Sequence, residues 1–299
     1  AGIEGFCYYH YWFGNKNTPK ELMQMPFNEV VRTRKPNFPF CLCWANHSFE
    51  KRDWDSRISV FNKTVLVEQK YYGIEDYTEH FYSLLPAFKD SRYIQIDGKN
   101  LFVIYNVEGI PDFEEFKKCW NYLAKANNLP DFYFVGYYNC TKKDYIDITT
   151  APYSFCDSNI VSMLSKLTLD SKKDFFFRKM KKLLAKALKF PAFKYDFRKI
   201  KYCLVPNEFL SKKLIPEIVV GFDHSPRTGK MRLILHKFTP KLFEEHIRDI
   251  FQYGKNSKKN NNIYFLKSWN EWGEGNYIEP DLKFGKQFLE ALQKEIELY

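Results

Sequence analysis

The sequence lacks the cysteine and histidine spacings that build structural metal sites. Its seven cysteines include no Cys-x-x-Cys pair, and its six histidines include no His-Glu-x-x-His segment. An odd number of scattered cysteines is typical of a reduced, intracellular protein rather than one stapled by disulfides. We therefore expect a cytoplasmic location, no protein-bound catalytic metal and no other cofactor.

Long apolar stretches are also absent. No segment of the chain approaches the ~20 consecutive apolar residues that a helix needs to cross a bilayer, so we expect no membrane span. Aromatic side chains, in contrast, are abundant, at 19% of the chain with 21 Tyr and 29 Phe. Such content serves sugar-binding clefts and hydrophobic cores alike, so composition alone does not decide the function.

The net charge of +10 is confined to one segment. Residues 166–201 contain 13 Lys or Arg and 3 Asp, which gives +10, so the rest of the chain is neutral. One interpretation is a solvated helical cover on the fold. The other is an amphipathic element that makes peripheral contact with an anionic membrane surface. No nucleic-acid-binding module accompanies the charge, so we expect no nucleic acid partner.

Short apolar runs alternate with helix-like segments, which is the pattern of βα units around a parallel sheet. Strands are predicted at 3–10, 38–45, 100–106, 131–139, 148–155, 216–223 and 262–269, with a further short strand within 63–72. Helices are predicted at 74–88, 111–127, 239–254 and 284–298. Near-continuous apolar character indicates strands that are buried on both faces. The sequence therefore predicts the α/β class, as one (β/α)8 TIM-type barrel domain over 1–299. We expect its first βα unit to be missing from this chain and a basic helical insertion around 160–205.

Polar and aromatic residues concentrate where the predicted strands end. In a barrel, the carboxyl ends of the strands form the active face, so these residues are candidates for substrate binding. They are Tyr9, His10, Tyr11, Trp44, Asn46, Tyr105, Asp223, His224, Arg227, Trp269, Asn270 and Trp272. The segment 221–230 suits recognition of hydroxyl or anionic groups, although a Ser-Pro turn with an Asp-Arg pair is an equal alternative.

Two glutamates, Glu271 and Glu274, lie three residues apart directly after the last predicted strand. Cleavage or transfer of an acetal needs one carboxyl that exchanges a proton and a second that acts as nucleophile, base or charge stabiliser. Tryptophans and glycines surround both glutamates, and a tryptophan can stack on a sugar ring. A capping or ion-pairing role is the alternative. We predict that Glu271 and Glu274 are the catalytic pair.

Five segments occur in one order along the chain: "GFCYYHYWF", "FPFCLCWAN", "RYIQIDGKNLFVIYN", "GFDHSPR" and "SWNEWGEGNYIEPD". In these segments the chain resembles the WbsX-type glycosyltransferases of surface-polysaccharide gene clusters, which are related to glycoside hydrolase family 99. The resemblance implies a (β/α)8 barrel that acts on glycosidic bonds in O-antigen or capsule assembly. Its implied partner is an oligosaccharide or polysaccharide, which a lipid-linked glycan would supply.

The resemblance also assigns roles to the two glutamates. Residues 270–275 match the Asn-Glu-Trp-x-Glu-Gly motif of the retaining, endo-acting α-mannosidases of family 99. By this resemblance, Glu271 takes the proton from the sugar 2-hydroxyl, which forms a 1,2-anhydro sugar, and Glu274 is the general acid/base. The family's common Trp-Ala-Asn-Glu-Asn-Trp differs here, since His47 and Phe49 replace Glu and Trp. The resemblance therefore does not extend to the choice of substrate.

Two other functions compete with this one. A non-catalytic glycan-binding barrel would need the aromatic residues but not a proton donor, so the presence of both glutamates favours an enzyme. A nucleotide-sugar-dependent transferase would use an Asp-x-Asp metal site. Asp53-Trp54-Asp55 is such a segment, although its surroundings favour a loop.

Overall fold

The computed structural model describes residues 1–51, 64–138, 153–154, 193–200, 214–215, 217–223, 225–228, 233–256 and 263–299. The chain separates into two compact units. We call Ile3–Lys51 with Thr64–Ser154 the N-terminal unit. We call Phe155–Tyr299, together with Ala1–Gly2 and Arg52–Lys63, the C-terminal unit.

A largely parallel sheet is the framework of the N-terminal unit. The strands of this unit are β1 (Phe6–Trp12), β2 (Glu21–Leu22), β3 (Phe40–Trp44), β4 (Phe49–Glu50), β5 (Val65–Val67), β6 (Gln95–Ile96), β7 (Lys99–Asn106), β8 (Phe132–Tyr138) and β9 (Tyr153–Ser154). The sheet order is β9-β8-β7-β3-β1-β2, and β1, β3, β7, β8 and β9 run parallel. Strands β2 and β6 add antiparallel edges to β1 and β7, and β4 pairs with β5 as a separate antiparallel ribbon.

Helices α1 (Met25–Thr33), α2 (Ile74–Phe88) and α3 (Phe113–Ala126) connect these strands. Asp112 is the N-cap of helix α3, and its side chain accepts a hydrogen bond of 2.8 Å from the Glu115 backbone N–H. The centre of the core is Trp120, which is fully buried and packs 4.7 Å from the Phe102 ring. Its indole N–H donates to the Tyr77 carbonyl at 3.0 Å, so α3 is joined to α2 through the core.

The C-terminal unit contains shorter strands and two long helices. Its strands are β10 (Phe193–Asp196), β11 (Leu214–Ile215), β12 (Glu217–Val219), β13 (Phe222–Asp223), β14 (Leu233–His236), β15 (Phe265–Lys267), β16 (Asn270–Glu271) and β17 (Asn276–Tyr277). Its helices are α4 (Phe197–Ile200), α5 (Ser225–Thr228), α6 (Pro240–Asn256) and α7 (Gln287–Leu298). Strand β12 pairs in parallel with β15, β10 pairs in parallel with β14, and β13 is antiparallel to β14.

Helices α6 and α7 enclose the core of this unit. The Phe238 and Phe288 rings stack 5.2 Å apart, and Phe243 is fully buried beside them. The half-exposed Arg248 of α6 pairs with the buried Glu295 of α7 at 2.6 Å. The apolar stripe of each helix therefore faces the other, as expected for amphipathic helices that flank a sheet.

The structure confirms a mixed α/β fold, with most predicted strands and all four predicted helices within a few residues of their expected bounds. The strand predicted at 216–223 is wrong as one element, because Gly221 has a φ of +64° and separates β12 from β13. Within the basic insertion predicted around 160–205, Phe193–Asp196 form the short strand β10, in which aromatic and polar residues alternate. The rest of that insertion, apart from α4, lies outside the described residues. In the described ranges, no helix has the length and apolarity needed to cross a membrane.

Candidate functional site

The two predicted catalytic glutamates follow a strand of the parallel pair β12 and β15. In this pair Val219 lies opposite Lys267, so both strands end at the same edge. Strand β15 leads into residues 268–281, and β12 leads into β13, which ends at Asp223. The carboxyl edge of a parallel sheet is where ligand sites usually form, because side chains from several connections converge there.

Gly275 brings these two connections into contact. A Cβ atom at this position would lie 2.9 Å from the Asp223 Cβ, closer than real side chains approach. Its φ of +55° also belongs to the left-handed region that glycine adopts without steric cost. The glycine is therefore required both by the close approach of Asp223 and by the turn that follows Glu274.

Asn276 fixes the loop to both strands. Its side chain is fully buried, and its amide Nδ2 donates to the carbonyls of Val220 at 2.9 Å, Gly221 at 2.8 Å and Lys267 at 3.0 Å. Ser268 adds a second brace, because its hydroxyl donates to the Asn276 carbonyl and accepts from the Glu271 N–H at 3.2 Å. The loop that carries both glutamates is therefore held at each end by buried polar contacts.

The two carboxylates occupy different parts of this loop. Glu271 ends β16 and lies opposite Asn276 of β17, whereas Glu274 ends a 3₁₀ turn at Trp272–Glu274. The Glu274 Oε2 lies 3.8 Å from the Lys267 Nζ, and both side chains are largely buried, with exposed fractions of 13% and 14%. A positive charge at this distance stabilises the ionised carboxylate by Coulomb attraction.

Asp223 supplies a third carboxylate beside the loop. Its Oδ1 accepts hydrogen bonds from the Ser225 backbone N–H at 2.9 Å and from the Ser225 hydroxyl. These bonds fix the turn into α5, as the alternative interpretation of a Ser-Pro turn expects. Among the described residues, no group donates a hydrogen bond to the Asp223 Oδ2. Helix α5, which contains Arg227, packs beside the 3₁₀ turn of Glu274.

The remaining aromatic and polar candidates of this unit lie in the same loop. Trp272 is half exposed and stacks on Tyr277, with ring centroids 3.6 Å apart. Asn270 is exposed, and the Trp269 carbonyl accepts backbone hydrogen bonds from Ile278 and Glu279. His224, the Arg227 side chain and the Asp53-Trp54-Asp55 segment lie outside the described residues.

In the N-terminal unit, aromatic side chains gather at the carboxyl ends of β1, β3 and β7. Tyr11 packs against His47 at 6.0 Å and against Phe49 at 5.8 Å, and His47 lies 5.2 Å from the Tyr105 ring. Asn46 is buried and joins two strand ends, because its amide donates to the Asn106 carbonyl and accepts from the Asn106 N–H, both at 2.7 Å. Two of the family positions that differ here, 47 and 49, thus belong to one aromatic group with Tyr11.

Three other candidates of this unit lie in different environments. Tyr9 is exposed. Trp44 is buried, and its indole N–H donates to the Trp12 carbonyl at 3.0 Å. His10 is buried in the core with its Nε2 3.3 Å from the Nε2 of His80, and burial lowers the pKa of His10 to about 3. His10 and Trp44 therefore contact core side chains, whereas Tyr9 meets solvent.

A comparison with known proteins identifies the family. The sequence profile described as "Glycosyltransferase WbsX" matches residues 1–292. The chain belongs to the WbsX glycosyltransferase family.

Individual relatives of this WbsX-family chain are distant. Two proteins named "Uncharacterized protein WxcX", from the B100 and ATCC 33913 strains of Xanthomonas campestris pv. campestris, are 23% identical over 303 residues. The match covers 99% of this chain, which spans 39% of the length of those relatives.

Among solved structures, a "Glycoside hydrolase-like protein" has a TM-score of 0.57 at 15% identity, over 99% of this chain and 82% of that one. It shares the α/β fold of the WbsX-family chain. The GH99 endo-alpha-mannosidase from Bacteroides thetaiotaomicron has a TM-score of 0.48 at 14% identity, over 99% of this chain and 74% of that one.

Three residues that were not predicted as functional also shape the site of this WbsX-family chain. They are Lys267, Asn276 and Tyr277. Lys267 was predicted only as a strand residue. Asn276 and Tyr277 belong to the segment 268–281, but no role was predicted for them. A signal for Asn276 exists in the sequence, because an asparagine directly after Gly275 in an apolar strand end is typical of a residue that bonds the backbone. The side-chain position of Lys267 has no comparable signal.

Proposed function

We propose that this WbsX-family protein is an enzyme of surface-polysaccharide assembly that cleaves or transfers an α-linked sugar by a retaining mechanism. The observation that carries the proposal is the position of Glu271 and Glu274 in one braced loop at the edge shared by β12 and β15. Such a loop holds two carboxyl groups in a fixed relation, which acid/base chemistry at one glycosidic bond requires.

In the proposed first step, Glu271 removes the proton of the sugar 2-hydroxyl, and the resulting oxygen attacks C1. The bond between C1 and the leaving oxygen breaks, and that oxygen takes the proton of Glu274. The products are a 1,2-anhydro sugar and the departing glycan. In the second step, Glu274 takes a proton from water or an acceptor hydroxyl, and the oxygen of that molecule attacks C1. The bond between C1 and the 2-oxygen breaks, and Glu271 returns its proton to the 2-oxygen.

Neighbouring side chains supply charge and recognition in this proposal. Lys267 stabilises Glu274 in its ionised form, which is the form needed at the start of the second step. Asp223 Oδ2 accepts a hydrogen bond from a sugar hydroxyl. We propose further substrate contacts through Trp269, Asn270, His224 and Arg227. The buried side chains of His10, Trp44 and Asn46 support the N-terminal unit instead.

We further propose that the chain forms a single (β/α)8 catalytic barrel, because the family resemblance implies that architecture. Support comes from the parallel strands of the N-terminal unit, from the parallel pair β12 and β15, and from the fold of the glycoside hydrolase-like protein. The basic residues 166–201 would be an insertion that contacts anionic lipid, which suits an enzyme acting on a lipid-linked glycan.

The experiment that tests this function measures sugar release and sugar transfer by the purified chain. Release of a reducing sugar from α-linked oligosaccharides without a nucleotide sugar would support hydrolysis. Transfer that requires a glycan donor and an added acceptor would support the transferase that the family description names. Strict dependence on a nucleotide sugar and a divalent metal would contradict the two-carboxylate mechanism.

A further inference from the structure

The indole of Trp272 has one covered face and one open face. Tyr277 covers the first, with the two ring centroids 3.6 Å apart and the planes inclined by only 15°. No other aromatic ring stacks on Trp272 within the described ranges, and the residue is 48% exposed. A tryptophan that exposes this much apolar surface at a candidate site is typically a binding surface.

The edge of the same indole is also fixed. Its Nε1–H donates to the Glu279 Oε2 at 2.7 Å, a short bond to a carboxylate. Tyr277, on the covered face, donates in turn to the Asp281 Oδ2 at 3.1 Å. The indole is therefore oriented before any ligand arrives, and a preorganised ring loses little entropy on binding.

The position of Trp272 relative to the carboxylates indicates which sugar it would meet. It lies between Glu271 and Glu274 in the chain, so its Cα is within about 8 Å of both Cα atoms. The Glu274 side chain is 13% exposed, whereas Trp272 is 48% exposed. The reacting sugar belongs with the largely buried Glu274 carboxylate, so the open indole face suits the next ring, nearer the solvent.

We propose that Trp272 is a preformed stacking platform for the pyranose ring adjacent to the reacting sugar, and that Glu279 is its positioning residue. The inference rests on the proposed function, and it adds a neighbouring sugar site and a role for Glu279 that is not catalytic. The apolar C–H face of the pyranose lies against the indole. The substrate is therefore a glycan of at least two rings.

The test uses the full chain with Glu274→Gln, so that bound glycans are not consumed, and a printed array of α-linked mono- to tetrasaccharides. The best ligand on the array is then titrated by tryptophan fluorescence. We expect binding of oligosaccharides over monosaccharides, and Trp272→Ala in this background to raise the Kd about tenfold. Trp272→Phe keeps an aromatic face and is expected to bind within about threefold of the parent. Tyr122→Ala removes an exposed aromatic from α3 and is the matched control.

Glu279 is tested by a pair of variants in the otherwise active chain. Glu279→Ala removes the acceptor of the indole N–H and is expected to raise KM several-fold with little change in kcat. Glu279→Gln retains an oxygen acceptor and is expected to restore KM. A purely structural role would lower the melting temperature in both variants without this rescue.

The outcomes separate the two proposals. If the active chain cleaves or transfers glycans but Trp272→Ala binds them as tightly as the parent, the platform is overturned and the proposed function stands. If the chain neither binds nor turns over any glycan on the array, both are overturned. Equal binding of monosaccharides and longer glycans would overturn the adjacent-ring assignment.

Discussion

Lys267 Nζ lies 3.8 Å from Glu274 Oε2, and the two side chains are only 14% and 13% exposed. The separation is longer than a charge-assisted hydrogen bond, so the attraction between them is chiefly Coulombic. Lys267 is the last residue of β15 and directly precedes the segment 268–281 that contains both glutamates. Its Nζ also lies 5.8 Å from the centroid of the Phe222 ring. Strand β15 therefore both leads into the loop and places a positive charge beside Glu274.

We predict that Lys267→Met extends activity toward higher pH. Glu274 must be protonated to donate to the leaving oxygen, and the nearby ammonium favours loss of that proton. Without Lys267, the carboxyl keeps its proton to higher pH, so the alkaline limb of the pH–rate profile should move to higher pH. Lys286→Met, which removes an exposed lysine before α7, is the control. A profile that moves equally in both variants would contradict the assignment.

We predict that Asn276→Asp is strongly destabilising. The new carboxylate would face three carbonyl oxygens that now accept from the amide Nδ2, so the free energy of unfolding should fall by about 3 kcal/mol. The measurement is urea unfolding at neutral pH. Asn270→Asp, an exposed change in the same loop, is expected to alter the free energy of unfolding by about 0.5 kcal/mol or less. Equal losses would mean that the amide contacts do not hold the loop.

We predict that the buried pair His10 and His80 makes the fold sensitive to acid. Burial lowers the pKa of His10 to about 3 and that of His80 well below its ordinary value, which the neighbouring His10 lowers further. The unfolded chain therefore binds more protons than the native chain below pH ~6.5, so stability is full above that pH and falls as the pH drops. Each histidine can contribute up to about 1.4 kcal/mol per pH unit.

The measurement for this pair is the free energy of unfolding from pH 7.5 to pH 5, each variant being compared with itself at pH 7.5. His10→Asn should reduce the slope of the free energy of unfolding against pH by about one proton. An unchanged slope in His10→Asn would show that the pair is not the acid-sensitive element.

Much of the fold could be predicted because the relevant signals are local. Helix α2 has the predicted bounds of 74–88, since its apolar residues recur at helical spacing and Glu75 and Asp76 occupy its first turn. Helix α1 was missed because only Phe27 and Val30 mark its buried face over nine residues. Strand β14 was missed because four residues carry too little pattern to separate a strand from a loop.

The sequence alone predicts which residues of the site are catalytic candidates. It does not predict the long-range contacts that hold their loop in place. Glu271 and Glu274 are three residues apart in a recognisable motif, so their proximity follows from the chain itself. The contacts of Asn276 with Val220 and Gly221 span 56 and 55 residues, and nothing local predicts them. The interruption between β12 and β13 at Gly221 was also not predicted. The segment "PEIVVGFD" is a largely apolar run in which only the glycine indicates a change of chain direction.

The assigned roles of Glu271 and Glu274 are tested most directly by leaving-group dependence. Wild type, Glu271→Gln and Glu274→Gln are compared on α-glycosides with a good and a poor leaving group, by kcat/KM. We predict that Glu274→Gln loses about 100-fold or more on the poor leaving group and much less on the activated one, which needs no acid. Glu271→Gln should lose activity on both, because the 2-hydroxyl lacks its base. Unchanged turnover in both variants would contradict the two-carboxylate account, and full rescue of Glu271→Gln by the activated substrate would require the two roles to be exchanged.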